Sequence, residues 1–354
     1  MNIFFDARWT KIGVHDGISR YTANLLGALA KIHDVTMIIY DERQLELLPK
    51  NVPYVILANP MSPRELLTPR KLNKLHADVV FSPMQIMGTW GRTYKLIFTL
   101  HDVIYYQFPT PPQQLPFTAR MTWRLFHMAK WPQRWLLNQA DYIATVSHTS
   151  KKLISAMHLT DREIGVVYNA PSLKLTEPAE NYKKELIYVG TFMEYKNVEL
   201  LMKAMSLLPD YKLHLVSRIT PLRKIELTRL LDNPRQVIFW NGASDAQYNK
   251  LLRTALALVS ASKAEGFGLP LLEAMAQSVP VAATNMPIFH EVCAQAGTYF
   301  NPDSPESFAD AIHKLEEPSY RKQMIERGVE QSQKFTWDSS AAQLLKIIQK
   351  ITRD

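Results

Sequence analysis

Eleven short apolar runs, set apart by longer amphipathic stretches, constrain this chain more than anything else in it. The first half holds NIFF, VTMIIY, DVVFS, LIFTL, YIATVS and GVVYN; the second holds LIYVG, KLHLV, VIFW, ALALVSA and PVAATN. Helical stretches such as RYTANLLGALAKI, KNVELLMKAM, DAQYNKLLRT and PLLEAMAQ lie between them. Strands that alternate with helices form parallel sheets through crossover connections. Eleven strands overfill one such sheet and suit two. The expected fold class is therefore α/β, with two Rossmann-like doubly wound parallel-sheet domains facing across a cleft. Ligands of such sheets bind outside the carboxyl ends of the strands, so a site between the domains is the first expectation.

Length agrees, since 354 residues are ample for two domains. The break is expected at NAPSLKLTEPAENYKKE, which is polar, has two prolines and shows no period. The domains read as 1–170, a linker over 171–185, 186–335, and a last helix over 336–354 that is capped near Asp338 and able to pack back on the first domain. A single cysteine, Cys293, excludes a disulfide framework and points to a reducing, cytoplasmic place. No run of apolar residues is long enough for a membrane span. The opening MNIFFDARW carries Asp6 and Arg8 too early for a signal peptide and reads as a first buried strand. The net charge of +8 is uneven: residues 1–170 hold 19 Lys and Arg against 12 Asp and Glu, and the rest hold 22 against 21. Either this is ordinary surface charge, or the first domain meets something acidic, a phosphorylated substrate or the anionic cytoplasmic face of a membrane.

The stretch AEGFGLPLLEAMA, residues 264–276, carries the chemistry. It follows the strand ALALVSA, turns on two glycines, and goes helical with Pro270 expected at the first position. Glycines let backbone approach a ligand, and the free N–H groups of a helix start attract anions. Glu273 is expected in the first turn, where it could accept hydrogen bonds from two neighbouring hydroxyls, as on a ribose. Glu265, before the turn, could meet a second polyhydroxy group. The spacing suits a ligand with phosphates in the middle and a sugar at each end; an acidic surface loop is the plainer reading.

These residues resemble the E-x7-E signature of retaining glycosyltransferases of the GT-B architecture, and SASKAEGFGLPLLEAMAQSVPVAATNMPIFHEV is similar to glycosyltransferase family four almost throughout. The resemblance implies that Gly266, Phe267, Gly268, Leu269 and Glu273 bind the donor and that Glu265 is catalytic. LIYVGTFMEYKN resembles the opening of the family's second domain, which places Lys196 on the donor diphosphate at the start of the next helix. The arginine frequent after the strand glycine is absent: Gly190 is followed by Thr191. Arg218, after KLHLVS, is the candidate replacement, a plain surface arginine being the other reading. LHDVIYYQFP resembles the motif whose histidine reaches the donor sugar, which implies that role for His101 rather than a structural one, with Asp102 orienting the turn and Tyr105 on the acceptor side. KIGVHDGISRYTANLL resembles the first glycine-bearing loop: Gly17 would approach the donor, and Arg20 would meet an anionic group or stand as a solvated charge. VIFWNGASDAQ would pass the base around Trp240 to Gly242, Ser244 and Gln247 form a capping-box pattern, and Glu291 in IFHEV would lie near the donor.

Cleaving a sugar from a nucleoside diphosphate builds charge on the departing phosphate. The sequence holds no D-x-D, H-E-x-x-H or C-x-x-C, so no metal is expected; Lys196, Arg218 and the helix start would stabilise that charge. The expectation is a retaining, metal-independent hexosyltransferase using a nucleotide sugar, GDP-mannose favoured over UDP-hexoses, with a glycan or lipid-linked acceptor of the cell envelope. Retention is implied by the resemblance alone. A non-catalytic binding or scaffold subunit of the same fold is the second reading, and epimerisation or hydrolysis of a nucleotide sugar the third.

One segment stands apart. Residues 103–140 contain no acidic side chain, eight aromatic ones, and Arg120, Arg124, Lys130 and Arg134, with Trp123, Trp131 and Trp135 among them. A core helix with a basic solvated face, a peripheral membrane contact and an acceptor-stacking surface all fit. Pro116 and Pro132 argue against one long surface helix. No nucleic-acid motif accompanies the basic residues, and no nucleic-acid partner is expected.

Overall fold

A computed structural model describes residues 1–13, 15–111, 116–172, 178 and 181–353. The chain divides into two units, Met1–Asn169 with Thr336–Asp354, and Ala170–Phe335. Most of the expected linker, along with residues 112–115 of the basic segment, lies outside the described residues.

The first unit contains a seven-stranded sheet of Ile3–Asp6 (β1), Val35–Ile39 (β2), Tyr54–Ile56 (β3), Val79–Ser82 (β4), Lys95–Thr99 (β5), Tyr142–Thr145 (β6) and Ile164–Val166 (β7), in the order β3-β2-β1-β4-β5-β6-β7. The second contains Lys183–Tyr188 (β8), Lys212–Leu215 (β9), Val237–Phe239 (β10), Ala255–Ser260 (β11), Val281–Thr284 (β12) and Gly297–Phe300 (β13), in the order β10-β9-β8-β11-β12-β13. Every pairing is parallel. In each sheet the strand order reverses once, between β1 and β4 and between β8 and β11. Such a reversal opens a crevice at the carboxyl ends of the two strands.

Two strands escaped the sequence pattern. β3 and β13 are short sheet-edge strands, and an edge strand needs no continuous apolar run: Tyr54 and Ile56 are exposed, as is usual on such an edge. The linker also ends earlier than expected, because β8 opens at Lys183. Its first residues are polar yet already paired, Lys183 beside Ala255 and Glu185 beside Lys212. The sheets bury their strands on both faces, so β1, β4 and β6 are inaccessible along their whole length.

The charges of the opening strand are themselves interior. Arg8 is fully buried; its guanidinium donates to both Asp6 oxygens at 2.8 and 3.0 Å and to both Glu65 oxygens at 2.5 and 3.0 Å. Its Nη1 also reaches the Ala58 carbonyl at 2.9 Å. Thr68 Oγ1 and the Gly88 N–H donate to Glu65 at 2.8 and 3.0 Å. Burial by itself would lower the guanidinium pKa, but the Asp6 and Glu65 carboxylates outweigh it and raise it above the ordinary arginine value.

The last helix, Trp337–Arg353, belongs to the first unit. Ala341, Leu344, Ile348 and Ile351 make its buried stripe, packed beside the helix Gly17–Leu29. Ser340 Oγ donates to the Tyr168 carbonyl at 2.8 Å, and Lys350 Nζ to Glu163 at 2.6 Å. The N-cap contact comes from Thr336, whose Oγ1 accepts from the Ser339 N–H at 3.1 Å, rather than from Asp338, which pairs instead with Lys31.

Candidate active site

In the second unit the loops after β8 and β11 flank the strand-order reversal, and a backbone bond of 2.7 Å from Lys263 N to the Tyr195 carbonyl joins them. Lys196 ends a short 3-10 turn, Glu194–Lys196, and Asn197 breaks it in the left-handed region before the helix Val198–Ala204 begins. Lys196 therefore stands ahead of that helix rather than on its first turn. Its ammonium is ion-paired with Glu265, although 69 residues separate them, and both side chains are largely buried. Ser262 Oγ donates to the same Glu265 oxygen at 3.0 Å, and Thr284 Oγ1 fixes the Ser262 carbonyl at 2.5 Å. Ser262 was not singled out in the sequence; only the fold aims its hydroxyl at Glu265.

The glycine turn leads into the helix Leu269–Ala276 with Gly268 as its N-cap at φ 96°. A Cβ there would lie 2.9 Å from Phe289 Cε1, so backbone conformation and packing both demand glycine. Two expectations shift by one position or one turn. Pro270 is the second helical residue, and Glu273 falls in the second turn, where it is buried. Starting the helix at Leu269, before the proline, moves Glu273 past the reach of the strongest end field. Phe267 turns its ring into the core, edge-on to Phe335 at 5.7 Å, so only its backbone can meet a ligand. Gly266 is buried beside it, and Leu269 is half-buried.

Arg218 lies past the end of β9, exposed, and runs along Gly242. Gly242 has φ 99°, and a Cβ on it would meet Arg218 Cγ at 2.7 Å. The fold thus brings these two expected donor-site residues together. Trp240 Nε1 donates to His214 Nδ1 at 3.0 Å, which holds the loop before Gly242 to β9. Ser244 and Gln247 form the expected capping box of the helix Asp245–Thr254. Glu291 is half-buried on the helix Pro287–Cys293. A cation absent from the sequence reading adjoins Thr191: Arg223 donates to the Phe192 carbonyl at 3.2 Å while Glu199 and Glu226 hold it. Tyr188 Oη donates to the Thr191 carbonyl at 2.5 Å, and the Gly190 N–H to Ser217 Oγ at 3.1 Å, so this loop is pinned on both sides.

The first unit carries its own cluster at the β1–β4 reversal. His101 follows β5, and its Nε2 donates to the Pro83 carbonyl at 2.8 Å, with Tyr21 edge-on at 5.1 Å. A carbonyl only accepts, so the proton sits on Nε2 and Nδ1 is the bare acceptor. Burial lowers the ring's pKa below 6.5 against the opposing Pro83 bond and Asp102 charge, so the ring is neutral at pH 7. Asp102 Oδ1 accepts from the Ile104 N–H at 3.0 Å and shapes the turn as expected. Tyr105 packs edge-on to Trp123 at 5.0 Å. Gly17 begins the helix Gly17–Leu29 under an Asp16 cap on Ser19 N at 2.8 Å, and Arg20 lies in its first turn.

His101, His127 and His214 share one titration signature. Burial lowers each pKa, opposed by the Pro83 bond and Asp102 at His101, the Trp123 carbonyl at His127, and Glu185 at His214. The unfolded chain binds these protons at about 6.5, before the folded chain does. Stability is therefore full above pH 6.5 and falls as the pH drops through the folded values. Urea midpoints taken from pH 7.5 to pH 5 should decline below about 6.5; equal midpoints across that window would refute the assignment.

Residues 174–331 match the family model described as "Glycosyl transferases group 1", and residues 15–174 the one described as "Glycosyltransferase Family 4". The O-antigen chain mannosyltransferase RfbU of Salmonella typhimurium is 27% identical over 323 residues, 85% of this chain and 87% of that one. Among solved structures, sucrose-phosphate synthase from Thermosynechococcus elongatus superposes with a TM-score of 0.76 at 19% identity, covering 99% of this chain and 98% of that one. Anabaena HepE in complex with UDP-glucose does so with a TM-score of 0.72 at 16% identity, covering 99% and 100%.

Proposed function

The chain belongs to the family 4, group 1 glycosyltransferases and has their two-domain GT-B fold, and from this we propose that it moves a hexose, mannose first, from GDP-mannose to a glycan or lipid-linked acceptor of the cell envelope. The observation that carries the reading is the half-buried Lys196–Glu265 ion pair at the strand-order reversal of the second sheet. A diphosphate arriving there takes the ammonium, and the carboxylate is released to accept from sugar hydroxyls. The mannose preference rests on the relation to RfbU along most of both chains.

In the proposed step the bond from the sugar C1 to the diphosphate oxygen breaks, and its electron pair leaves with the diphosphate. The acceptor oxygen bonds to C1 on the face just vacated, which retains the configuration, and its proton passes to the departing phosphate. Lys196 and Arg218 stabilise the growing negative charge, and the N–H groups that follow Gly268 add to it. Neutral His101 offers Nδ1 to a sugar hydroxyl, and Glu273 holds the ribose. Gly17 and the Gly242 backbone allow close approach, while Arg20, Asp102 and Tyr105 serve the acceptor side. In this reading the step needs no metal, because the charge it generates meets fixed cations. The enzyme works peripherally, at the cytoplasmic membrane face.

A thermal-shift series with GDP-mannose, GDP, UDP-glucose and UDP tests this. At a hundredfold excess over Kd, a donor stabilises by about 2.7 kcal/mol. GDP-mannose should raise Tm with and without EDTA. Glu265→Gln should still bind GDP, because its Lys196 is freed, yet transfer should drop about a hundredfold or more. A shift with UDP-glucose alone sinks the donor, a shift abolished by EDTA sinks metal independence, and an inverted anomer in the product sinks retention.

A further inference from the structure

The helix Phe117–Met128, expected among other readings to be a core helix, has no buried residue. Phe117, Met121, Leu125 and Met128 are 54–80% exposed. At about 100° per residue they fall within one stripe about 80° wide. Trp131 and Trp135, on the next helix, extend the apolar surface at 71% and 64% exposed. Arg124 flanks the stripe and Lys130 links the two helices, both exposed. Among the described residues neither these nor Arg120 forms an ion pair, whereas Arg134 is held by Asp161. No acidic residue occurs anywhere in 103–140.

The opposite face of the helix has a partner. Trp123 stacks on His127 at 4.0 Å, and Tyr105 meets both rings edge-on at 5.0 and 5.7 Å. The exposed stripe is therefore displayed by a helix anchored through its other side to the short helix Ile104–Gln107, which directly follows His101 and Asp102. An apolar stripe with unpaired cations at its border and tryptophans at its end has the chemistry of the water–lipid boundary, where aromatic rings sit at headgroup level and cations meet anionic lipid.

We propose that the stripe Phe117–Met121–Leu125–Met128, with Trp131, Trp135, Arg124 and Lys130, docks on an anionic phospholipid surface. This deepens the peripheral placement proposed above by naming its element and its lipid charge. Charge complementarity selects this occupant: a patch whose own side chains include two unpaired cations and no carboxylate matches a negative surface. Docking there keeps Tyr105 and the His101 loop beside the bilayer, where a lipid-linked acceptor presents its headgroup.

The test is co-sedimentation of the full chain with vesicles of phosphatidylcholine alone and of phosphatidylcholine with phosphatidylglycerol. The wild type should bind the second and not the first, with a blue shift of tryptophan emission. Arg124→Gln with Lys130→Gln should lower partitioning about thirtyfold, equivalent to about 1 kcal/mol for each cation near the surface. Met121→Ser with Leu125→Ser and Met128→Ser should abolish binding. All of these side chains are exposed, so Tm and the GDP-mannose shift should stay at wild-type values, and a failure here is separable from a failure of the transfer reading. No wild-type binding overturns membrane contact as a whole. Binding left intact in both variants overturns this patch alone. A serine variant that changes oligomeric state without changing lipid binding assigns the stripe to a second copy of the chain and likewise overturns the proposal.

Discussion

Lys196→Ala should transfer sugar about 100- to 1,000-fold more slowly than the wild type, equivalent to about 2.7–4 kcal/mol of lost transition-state stabilisation. The ammonium is the cation that the fold sets against Glu265, in a largely buried site where charge is weakly screened. Ser262 still holds the Glu265 oxygen at 3.0 Å, so the loop keeps its shape and the loss isolates the charge. Initial rates with GDP-mannose decide it. A fall in kcat with KM nearly unchanged marks a contact that strengthens as the phosphate departs, and a rise in KM alone marks ground-state binding. A change of less than tenfold in kcat/KM would remove Lys196 from the machinery. Lys196→Arg, which keeps charge but brings a planar fork in place of a compact ammonium, should recover only part of the rate.

Arg8→Met should cost the first unit about 3–5 kcal/mol, because it leaves the Asp6 and Glu65 carboxylates buried without their cation. That is a large share of the roughly 5–15 kcal/mol that holds a domain together. The two units need separate readouts, and tryptophan provides one. Six of the seven tryptophans, Trp9, Trp90, Trp123, Trp131, Trp135 and Trp337, lie in the first unit, so urea unfolding followed by emission reports mainly on it. The second unit's transition, followed by the GDP-mannose shift, should not move. A midpoint equal to wild type would mean that the triad adds nothing to stability.

Repacking all three members with apolar side chains would be milder for Asp6 and Arg8 than for Glu65. Glu65 also accepts from Thr68 and from the Gly88 N–H, and a Cβ on Gly88 would lie 2.4 Å from the Glu65 carbonyl, so the chain passes too closely there to be filled differently. The triad thus fixes the loops around β1 and β4 whose carboxyl ends carry the first unit's cluster.

Much of the candidate site was legible before any coordinates. The run from ALALVSA to PVAATN announces its strand, glycine turn, helix and next strand through local chemistry: β-branched and small residues, a left-handed glycine at Gly268, and a proline in the first turn. Asp102 as a turn former and the Ser244–Gln247 capping box are similarly local, and both stand where the pattern put them. Contacts across the sheets were not legible, because nothing in a single sequence says which strands become neighbours. Lys196 meets Glu265 because β8 pairs with β11, and Arg218 meets Gly242 because β9 pairs with β10. The return of Trp337–Arg353 to the first unit depends on its stripe finding the Gly17–Leu29 helix, and the edge strands β3 and β13 are defined by their neighbours rather than by their own residues. Alternation of apolar runs and amphipathic helices determined two parallel α/β sheets, and local turn chemistry determined the glycine turn after β11. Tertiary structure alone decided that Arg8 lies inside, that Phe117–Met128 lies outside, and which side chains share a site. The reason is physical: periodicity and turn chemistry act over a few residues, while burial and ion pairing depend on what the rest of the chain brings alongside.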